Sequence, residues 1–262
     1  MSTLHRGKTV FIAGGTSGIN LGIAEGFATA GARVAMLSRS ADKVESAVAR
    51  LRALGADVQG HAADVRNPAA VEAALAATAQ AWGPLDVLVS GAAGNFLAPA
   101  AELSANGFKT VVDIDLLGTF NVLRMAWPHL RKPGAAILNI TAAQSWLPMA
   151  QQVHVCAAKA GIDQITRTLA IEWGGAGVRV NAIAPGPIEG TEGMKRLAAT
   201  PQARQAWTDC VPLKRFGTLQ DIRRVALWLC SEEAAYITGV VLPVDGGVAL
   251  GGGGPIAAAM QA

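Results

Sequence analysis

The chain has 262 residues, of which 51% are hydrophobic and 16% charged, and its formal net charge is +3. This length allows one domain, or at most two, with a complete hydrophobic core. The basic residues form scattered pairs rather than a stripe with aromatic residues between them, which argues against nucleic-acid binding. No apolar run approaches the roughly 18 residues of a membrane span. Three cysteines without metal-ligand spacing predict neither a disulfide framework nor a metal site.

Short apolar runs alternate along the chain with longer segments of helical periodicity. The first half predicts strands at 10–13, 33–37, 58–61 and 86–89, separated by helices at 19–30, 41–54 and 68–82. The second half predicts a long helix at 108–130, strands at 136–141, 178–183 and 240–244, and helices at 153–173 and 219–230. Residues 187–214 lack a clear strand and are expected to form an excursion that covers the substrate in a ligand crevice. The tail from 247 to 262 is weakly determined.

This alternation of strand and helix predicts an α/β fold with a parallel sheet covered by helices on both faces. The seven strands read as near-continuous apolar runs, as strands buried on both sides do, and no linker divides them. The sequence therefore predicts a single doubly wound, Rossmann-type domain over residues 1–262.

The segment AGGTSGINLG at 13–22 follows the first strand and opens the first helix. That context favours a dinucleotide site, because glycines let the backbone approach a pyrophosphate and a helix N-terminus offers free N–H groups. Asn20 departs from the commonest glycine spacing and adds bulk near the expected pyrophosphate. The cofactor contacts predicted in this turn are Gly14, Thr16, Ser17, Gly18 and Ile19.

The second strand ends at Ser38-Arg39-Ser40, without the acidic residue that usually holds the ribose 2′-hydroxyl of NAD. Arg39 can instead pair with a 2′-phosphate, which favours NADPH; the alternative is an arginine that only faces solvent. Further cofactor contacts are expected at the carboxyl ends of the other strands, where open α/β sheets bind ligands. They are Asp64, Val65, Ala92, Gly94, Pro185, Gly186, Ile188 and Thr191.

Together these motifs resemble the short-chain dehydrogenase/reductase family over nearly the whole chain. The resemblance rests on AGGTSGI, AAG at 92–94, NIT at 139–141, Lys159, APGPI at 184–188 and VDGG at 244–247. In that family a serine, a tyrosine and a lysine carry out the chemistry. Here the serine position is Ala142 and the tyrosine position is Val155. Ordinary ketone reduction therefore lacks its acid. The one tyrosine of the chain, Tyr236, is expected to be structural.

Three stretches, at 92–122, 152–163 and 184–197, resemble the 2,4-dienoyl-CoA reductases, the peroxisomal type in particular. That type also lacks the serine and the tyrosine. The resemblance implies that Asp115 and Lys159 are the catalytic residues and that Lys159 also binds the nicotinamide ribose. It further implies that Phe96 lines the acyl substrate, with core packing as the alternative. Arg66 and Arg196 are expected to meet phosphates of coenzyme A or NADPH, unless they are surface charges.

The implied reaction is NADPH-dependent reduction of a 2,4-dienoyl-CoA to a 3-enoyl-CoA, with hydride delivered to C5 and a proton to C2. Because this proton goes to carbon rather than to an alkoxide, the hypothesis is that Asp115 and Lys159 position a water that donates it. The alternative is that Asp115 only pairs with Lys159 and supports the helix. A carbonyl reductase that uses Asp115, His154 or water as its acid also remains open, as does an inactive cofactor-binding scaffold, which Asn20 favours.

The expected partner is an acyl-CoA thioester, with no nucleic acid and no membrane. The family resemblance implies a homotetramer in which the helices predicted at 108–130 and 153–173 are in contact. The final residues, AAAMQA, are not a peroxisomal signal of the S-K-L type. Together with the alanine-rich composition, this predicts a cytoplasmic enzyme.

Overall fold

Seven parallel strands form one sheet in the computed structural model, which describes residues 4–253. Their spatial order is β3-β2-β1-β4-β5-β6-β7. This order confirms the predicted doubly wound fold, and every strand lies within two residues of its predicted bounds. The strands are β1 Thr9–Ala13, β2 Arg33–Ser38, β3 Val58–Ala62, β4 Val87–Ser90, β5 Ala136–Ile140, β6 Arg179–Pro185 and β7 Val241–Val244.

The helices connect these strands and cover both faces of the sheet. They are α1 Gly18–Thr29, α2 Ala41–Arg52, α3 Pro68–Trp82, α4 Ala105–Val111, α5 Gly118–Ala126, α6 Val153–Gly174, α7 Glu192–Leu197, α8 Pro201–Cys210 and α9 Leu219–Leu229. Their local signals agree with the sequence. For example, Asn67 caps α3 by accepting a hydrogen bond from the backbone N–H of Ala70, and Pro68 occupies the first turn of the helix.

Two hydrophobic cores lie on opposite faces of the sheet. On one face, Ile23 and Phe27 of α1 pack with Ile222 of α9 against β1 and β2. On the other face, Leu75 of α3 and Val122 of α5 pack against β4 and β5. Full burial of such side chains contributes about 1.5–3 kcal/mol each. The sheet is therefore held rigidly from both sides, and its loops at the carboxyl end have a fixed base.

The prediction of one continuous α-helix at 108–130 is wrong. The helix begins earlier, at Ala105, as α4, continues as a π-helical segment over Val112–Leu117, and resumes as α5. A 3-10 turn over Trp127–His129 ends it. Apolar periodicity does not reveal the extra residue that a π-helical turn contains. Such turns often lie at functional sites, and this one contains Asp115, whose side chain is completely buried.

The excursion predicted at 187–214 consists mainly of two helices, α7 and α8. Thr191 and Thr200 cap them, each accepting a hydrogen bond from a backbone N–H in the first turn. A parallel bridge between Ile188 and Gly217 closes the base of the excursion. Of the predicted tail, residues 254–262 lie outside the described part of the chain. Within residues 4–253, no helix combines the length and apolar character needed to cross a membrane.

Candidate active site

A cleft of about 510 Å³ opens at the carboxyl ends of the strands. It lies where the strand order reverses between β1 and β4, which is the usual ligand crevice of an open α/β sheet. Most of the predicted cofactor residues line it: Gly14, Thr16, Ser17, Gly18, Ile19, Arg39, Asp64, Val65, Ala92, Lys159, Pro185, Gly186, Ile188 and Thr191. Gly94 is not on the wall of the cleft, but its backbone N–H donates to Asp115 Oδ1 at 2.7 Å.

The glycine turn between β1 and α1 provides space and free N–H groups. Gly14 has φ +80°, and a Cβ there would lie 2.7 Å from the backbone nitrogen of Ala92. Gly18 has φ +53° where α1 begins. Ser17, the N-cap residue, makes no side-chain hydrogen bond to the helix. The first N–H groups of α1 are therefore left for a ligand, as binding of an anionic pyrophosphate requires.

Asn20 also lines the cleft at this turn, although the residue is only 7% exposed. Its side-chain Nδ2 donates to the carbonyl oxygen of Gly91 at 2.7 Å and to that of Gly14 at 3.3 Å. The amide therefore connects the glycine turn to the end of β4. The bulk that the sequence places near the pyrophosphate is used in a contact within the protein, which stabilises the turn.

Two basic side chains lie where β2 ends. Arg39 and Lys43 both line the cleft, and no ion pair joins either one to another residue in the described range 4–253. Sequence reasoning selected Arg39 and missed Lys43, although its position in the first turn of α2, four residues later, was a usable signal. Together they place two positive charges at the end of the cleft beyond the glycine turn.

Asp64 and Arg66 bind each other. Arg66 donates from Nε to both carboxylate oxygens at 3.1 Å and from Nη2 to Oδ2 at 2.6 Å. These hydrogen bonds hold the pKa of Asp64 below its usual range. Asp64 lines the cleft, whereas Arg66 does not. Arg66, which was expected to bind a phosphate of coenzyme A or NADPH, is therefore already paired with a carboxylate. Arg196 lies in α7, but its side chain is outside the described part of the structure.

The predicted catalytic pair is assembled from two elements. Lys159 Nζ in α6 lies 3.0 Å from Asp115 Oδ2 in the π-helical segment. Asp115 is completely buried and Lys159 is 7% exposed. Of the two, the lysine lines the cleft. A buried ammonium needs such a partner, because an unpaired charge is costly to bury. The pair thus presents a fixed positive charge to the cleft, backed by a carboxylate.

Apolar side chains occupy the two positions that lack hydroxyl groups. Ala142 lines the cleft after β5. Val155 is 3% exposed and packs with Val111 and Ala158. Tyr236 is fully exposed on the surface and is not among the residues of the cleft, so it does not replace the missing tyrosine.

Phe96 lies beside the cleft rather than on its wall. Its ring is 38% exposed and packs on His154 at a centroid distance of 4.5 Å. His154 Nε2 also lies 3.2 Å from the carbonyl oxygen of Phe96, which accepts a hydrogen bond from this nitrogen when it carries the proton. His154 is completely buried. The histidine thus holds the loop that carries Phe96 through Nε2, while its buried Nδ1 has no hydrogen-bond partner among the described residues.

Besides Lys43, the polar cleft residues that the sequence analysis did not select include Asn95, Thr141 and Gln144. Thr141 and Gln144 directly follow β5, so the rule that ligands bind where strands end was sufficient to select them. Among residues 4–253, no group of three or more His, Cys, Asp or Glu side chains is arranged to hold a metal ion.

A glycine turn at the strand-order reversal, free N–H groups at α1 and a buried lysine in the same cleft define a nucleotide-dependent oxidoreductase of the Rossmann type. Comparison with known proteins gives the family. Residues 13–249 match the family model described as "Enoyl-(Acyl carrier protein) reductase". The chain belongs to the short-chain dehydrogenase/reductase family and is an oxidoreductase of that family.

Relatives of known name cover almost the whole chain. The peroxisomal 2,4-dienoyl-CoA reductase [(3E)-enoyl-CoA-producing] of Rattus norvegicus is 45% identical over 246 residues, which are 93% of this chain and 84% of the relative. A Bacillus subtilis protein named "Probable 2,4-dienoyl-CoA reductase [(2E)-enoyl-CoA-producing]" is 40% identical and covers 92% of this chain and 96% of its own. The crystal structure of a Bacillus anthracis short chain dehydrogenase superposes with a TM-score of 0.84 at 38% identity, covering 92% and 96% of the two chains.

Proposed function

We propose that this enzyme reduces 2,4-dienoyl-CoA thioesters with NADPH and gives 3-enoyl-CoA. The observation that carries the proposal is the buried Asp115–Lys159 pair, whose lysine lines the cleft, together with Ala142 on the cleft wall at the serine position and the buried Val155 at the tyrosine position. A reduction that ends with a proton on carbon does not need a hydroxyl beside a ketone oxygen. The similarity to 2,4-dienoyl-CoA reductases over more than nine-tenths of the chain supports the same reaction.

In the proposed reaction the cofactor supplies the hydride, and residues of this chain deliver the proton. When bound, NADPH supplies the hydride that adds to C5 of the dienoyl chain. The electron pair is displaced through the double bonds toward the thioester oxygen, and the proton then arrives at C2. Lys159 faces the cleft and holds the water that donates this proton, while Asp115 fixes the ammonium from behind. The hydroxide that remains takes up a proton from solvent and is restored to water. A fixed positive charge near the developing dienolate favours its formation.

Arg39 and Lys43 are the basis for NADPH rather than NADH in this proposal. Arg39→Asp is expected to raise the Kd for NADPH about 10- to 100-fold, because a guanidinium–phosphate contact is replaced by charge repulsion. Binding of NADH is expected to improve, since a carboxylate accepts hydrogen bonds from the ribose 2′-hydroxyl. Fluorescence titration with both cofactors measures the ratio. Arg50→Ala, on the same helix as Lys43 but paired with Glu25, is the control and should leave both affinities near wild type.

The reaction is tested by NADPH oxidation with a medium-chain 2,4-dienoyl-CoA, beside chain-matched 3-oxoacyl-CoA and 2-enoyl-CoA. We expect turnover with the dienoyl thioester and a product whose remaining double bond is at C3. Nuclear magnetic resonance of the product distinguishes this 3-enoyl isomer from the 2-enoyl one. Turnover of the 3-oxoacyl substrate alone would identify a carbonyl reductase and reject the proposal. Cofactor binding without turnover of any substrate would indicate a scaffold.

A homotetramer is part of the proposal. A groove of about 720 Å³ lies between the π-helical segment, α5 and α6. Its lining is mostly apolar and includes Leu116, Leu117, Phe120, Ile165 and Leu169. Leu117 and Phe120 are each 45% exposed. Exposed apolar surface of this kind is typical of subunit interfaces, and the family resemblance implied contact between these same helices.

Phe120→Asp is therefore expected to produce a lighter species in light scattering after size-exclusion chromatography, because a charge would be buried in an apolar interface. Ile171→Asp is the matched control: Ile171 is 83% exposed on α6 but does not line the groove. An unchanged mass for Phe120→Asp would remove this groove from the interface.

The cytoplasmic location stays a prediction, which fractionation of the source cells would test.

A further inference from the structure

Two glutamine side chains form a hydrogen-bonded pair beside the cleft. Gln144 Nε2 donates to Gln152 Oε1 at 3.0 Å. Gln144 lines the cleft in the 3-10 turn Ala143–Ser145, and Gln152 is the N-cap residue of α6. Gln152 is completely buried. The second N–H of the Gln144 amide has only a long contact of 3.9 Å to the sulfur of Met149, which is a weak acceptor.

Gln152 has a feature that its structural role does not explain. Its Nε2 is buried and has no hydrogen-bond partner. A buried amino group without a partner is destabilising and calls for an explanation. Its side chain makes no capping bond to α6 either. The contact that Gln152 does make is the one that fixes the amide of Gln144.

The pair spans the two segments from which the family hydroxyls are missing. Gln144 follows Ala142 by two residues, and Gln152 precedes Val155 by three. We propose that the Gln144 amide binds the thioester oxygen of the substrate and stabilises the negative charge that collects there, with Gln152 as the residue that positions it. This inference rests on the proposed function and assigns to Gln144 a role in the same reaction.

The glutamine pair can supply the N–H donor that a hydrogen bond to the thioester oxygen requires. The oxygen and nitrogen ends of an amide have nearly the same size, so both side chains can turn over and keep a hydrogen bond between them. Gln152 Nε2 then donates to Gln144 Oε1 and gains a partner, while the carbonyl oxygen of Gln152 takes the unpartnered position. The amino group of Gln144 is turned away from Gln152 and becomes available to the cleft. Negative charge on the thioester oxygen binds this arrangement more tightly and so increases its population.

This contact involves no covalent change in either glutamine. Hydride adds to C5, the electron pair of the diene is displaced to the thioester oxygen, and that oxygen accepts a hydrogen bond from Gln144. The pair of electrons then returns to form the bond between C2 and the proton. Because the charge on oxygen is largest during and after hydride transfer, the hydrogen bond accelerates the chemical step more than it strengthens substrate binding.

The test compares Gln144→Leu, Gln152→Leu and wild type with a medium-chain 2,4-dienoyl-CoA. We expect Gln144→Leu to lower kcat about 100-fold, as loss of one oxyanion donor does in other enzymes. Gln152→Leu should have a smaller effect in the same direction. The deuterium isotope effect with NADPH labelled at the transferred position should rise in both variants, because the hydride step becomes rate-limiting. Binding of a saturated acyl-CoA, which acquires no charge, should stay within about twofold of wild type.

The control variant is Gln80→Leu, an exposed glutamine on α3 away from the cleft. An unchanged kcat in Gln144→Leu overturns the inference. So does a lower kcat with an unchanged isotope effect and a lower unfolding temperature, since that pattern identifies a structural role. A wild-type enzyme that does not reduce the dienoyl thioester rejects the proposed function instead, and it does so before any variant is measured.

Discussion

Replacing Asp115 with asparagine is expected to lower kcat for 2,4-dienoyl-CoA reduction about 100-fold or more. The carboxylate lies 3.0 Å from Lys159 Nζ and is completely buried. Removal of one preorganised electrostatic stabiliser from an active site typically costs about 2.7–4 kcal/mol in transition-state stabilisation, and about 3 kcal/mol corresponds to more than 100-fold in rate. Without its partner, the ammonium of Lys159 is a buried unpaired charge and no longer keeps its position in the cleft. Steady-state kinetics with saturating NADPH measures the effect.

The structure provides a matched control within the same π-helical segment. Asp113 lies two residues away, is partly exposed, and pairs on the surface with Lys109. Asp113→Asn removes the same charge and should leave kcat near wild type, because exposed ion pairs contribute little, about 0–1 kcal/mol. Full turnover by Asp115→Asn would reject a catalytic role for the pair and leave Asp115 as a support for the helix.

Gly14→Ala is the second substitution with a large expected effect. The added Cβ would meet the Ala92 backbone nitrogen at 2.7 Å and its Cα at 2.8 Å, and φ at this position is +80°. Neither backbone atom can move without disturbing the end of β4. We expect a loss of about 2–4 kcal/mol in the free energy of unfolding, which lowers the unfolding temperature by about 5–12 °C for a chain of this size. Affinity for NADPH should fall at least 10-fold, because the turn opens.

Gly55→Ala is the control that measures the cost of backbone strain without a steric clash. Gly55 has φ +81°, nearly the same as Gly14, but a Cβ there would meet nothing within 4 Å. This variant should lose only the cost of a left-handed backbone, about 1–2 kcal/mol, and should bind NADPH normally. Thermal unfolding and cofactor titration of both variants measure the difference. Equal behaviour of the two would show that the close approach between Gly14 and Ala92 is unimportant.

The sheet was predictable because its strands are buried on both faces. Runs such as Val10-Phe11-Ile12-Ala13 permit few other structures, so their bounds follow from composition alone. The helix at 105–126 was less predictable. Its apolar periodicity is nearly the same with or without a π-helical turn, and the difference depends on packing against α6 that no local pattern encodes.

In the candidate site, too, the features set by the backbone were predictable from the sequence, whereas the side-chain contacts were not. The glycine turn and strand ends were predictable from position along the chain. The pairing of Asp115 with Lys159 followed from a family resemblance, since nothing local relates residues 44 positions apart. Side-chain partners were the least predictable part: Arg66 binds Asp64 two residues away, and Asn20 binds the end of β4. Each depends on a rotamer chosen by the folded surroundings.

The π-helical segment makes helix length a determinant of both chemistry and assembly. Each residue of an α-helix advances the side chains by about 100° around the axis. Deleting one residue from Val112–Leu117 would therefore rotate the side chains of α4 relative to those of α5. Asp115 faces inward from the segment, while Leu117 and Phe120 face outward. Substitutions can alter either face alone, but a change of length alters both together. In evolution, this stretch is expected to tolerate new side chains and to resist insertions and deletions.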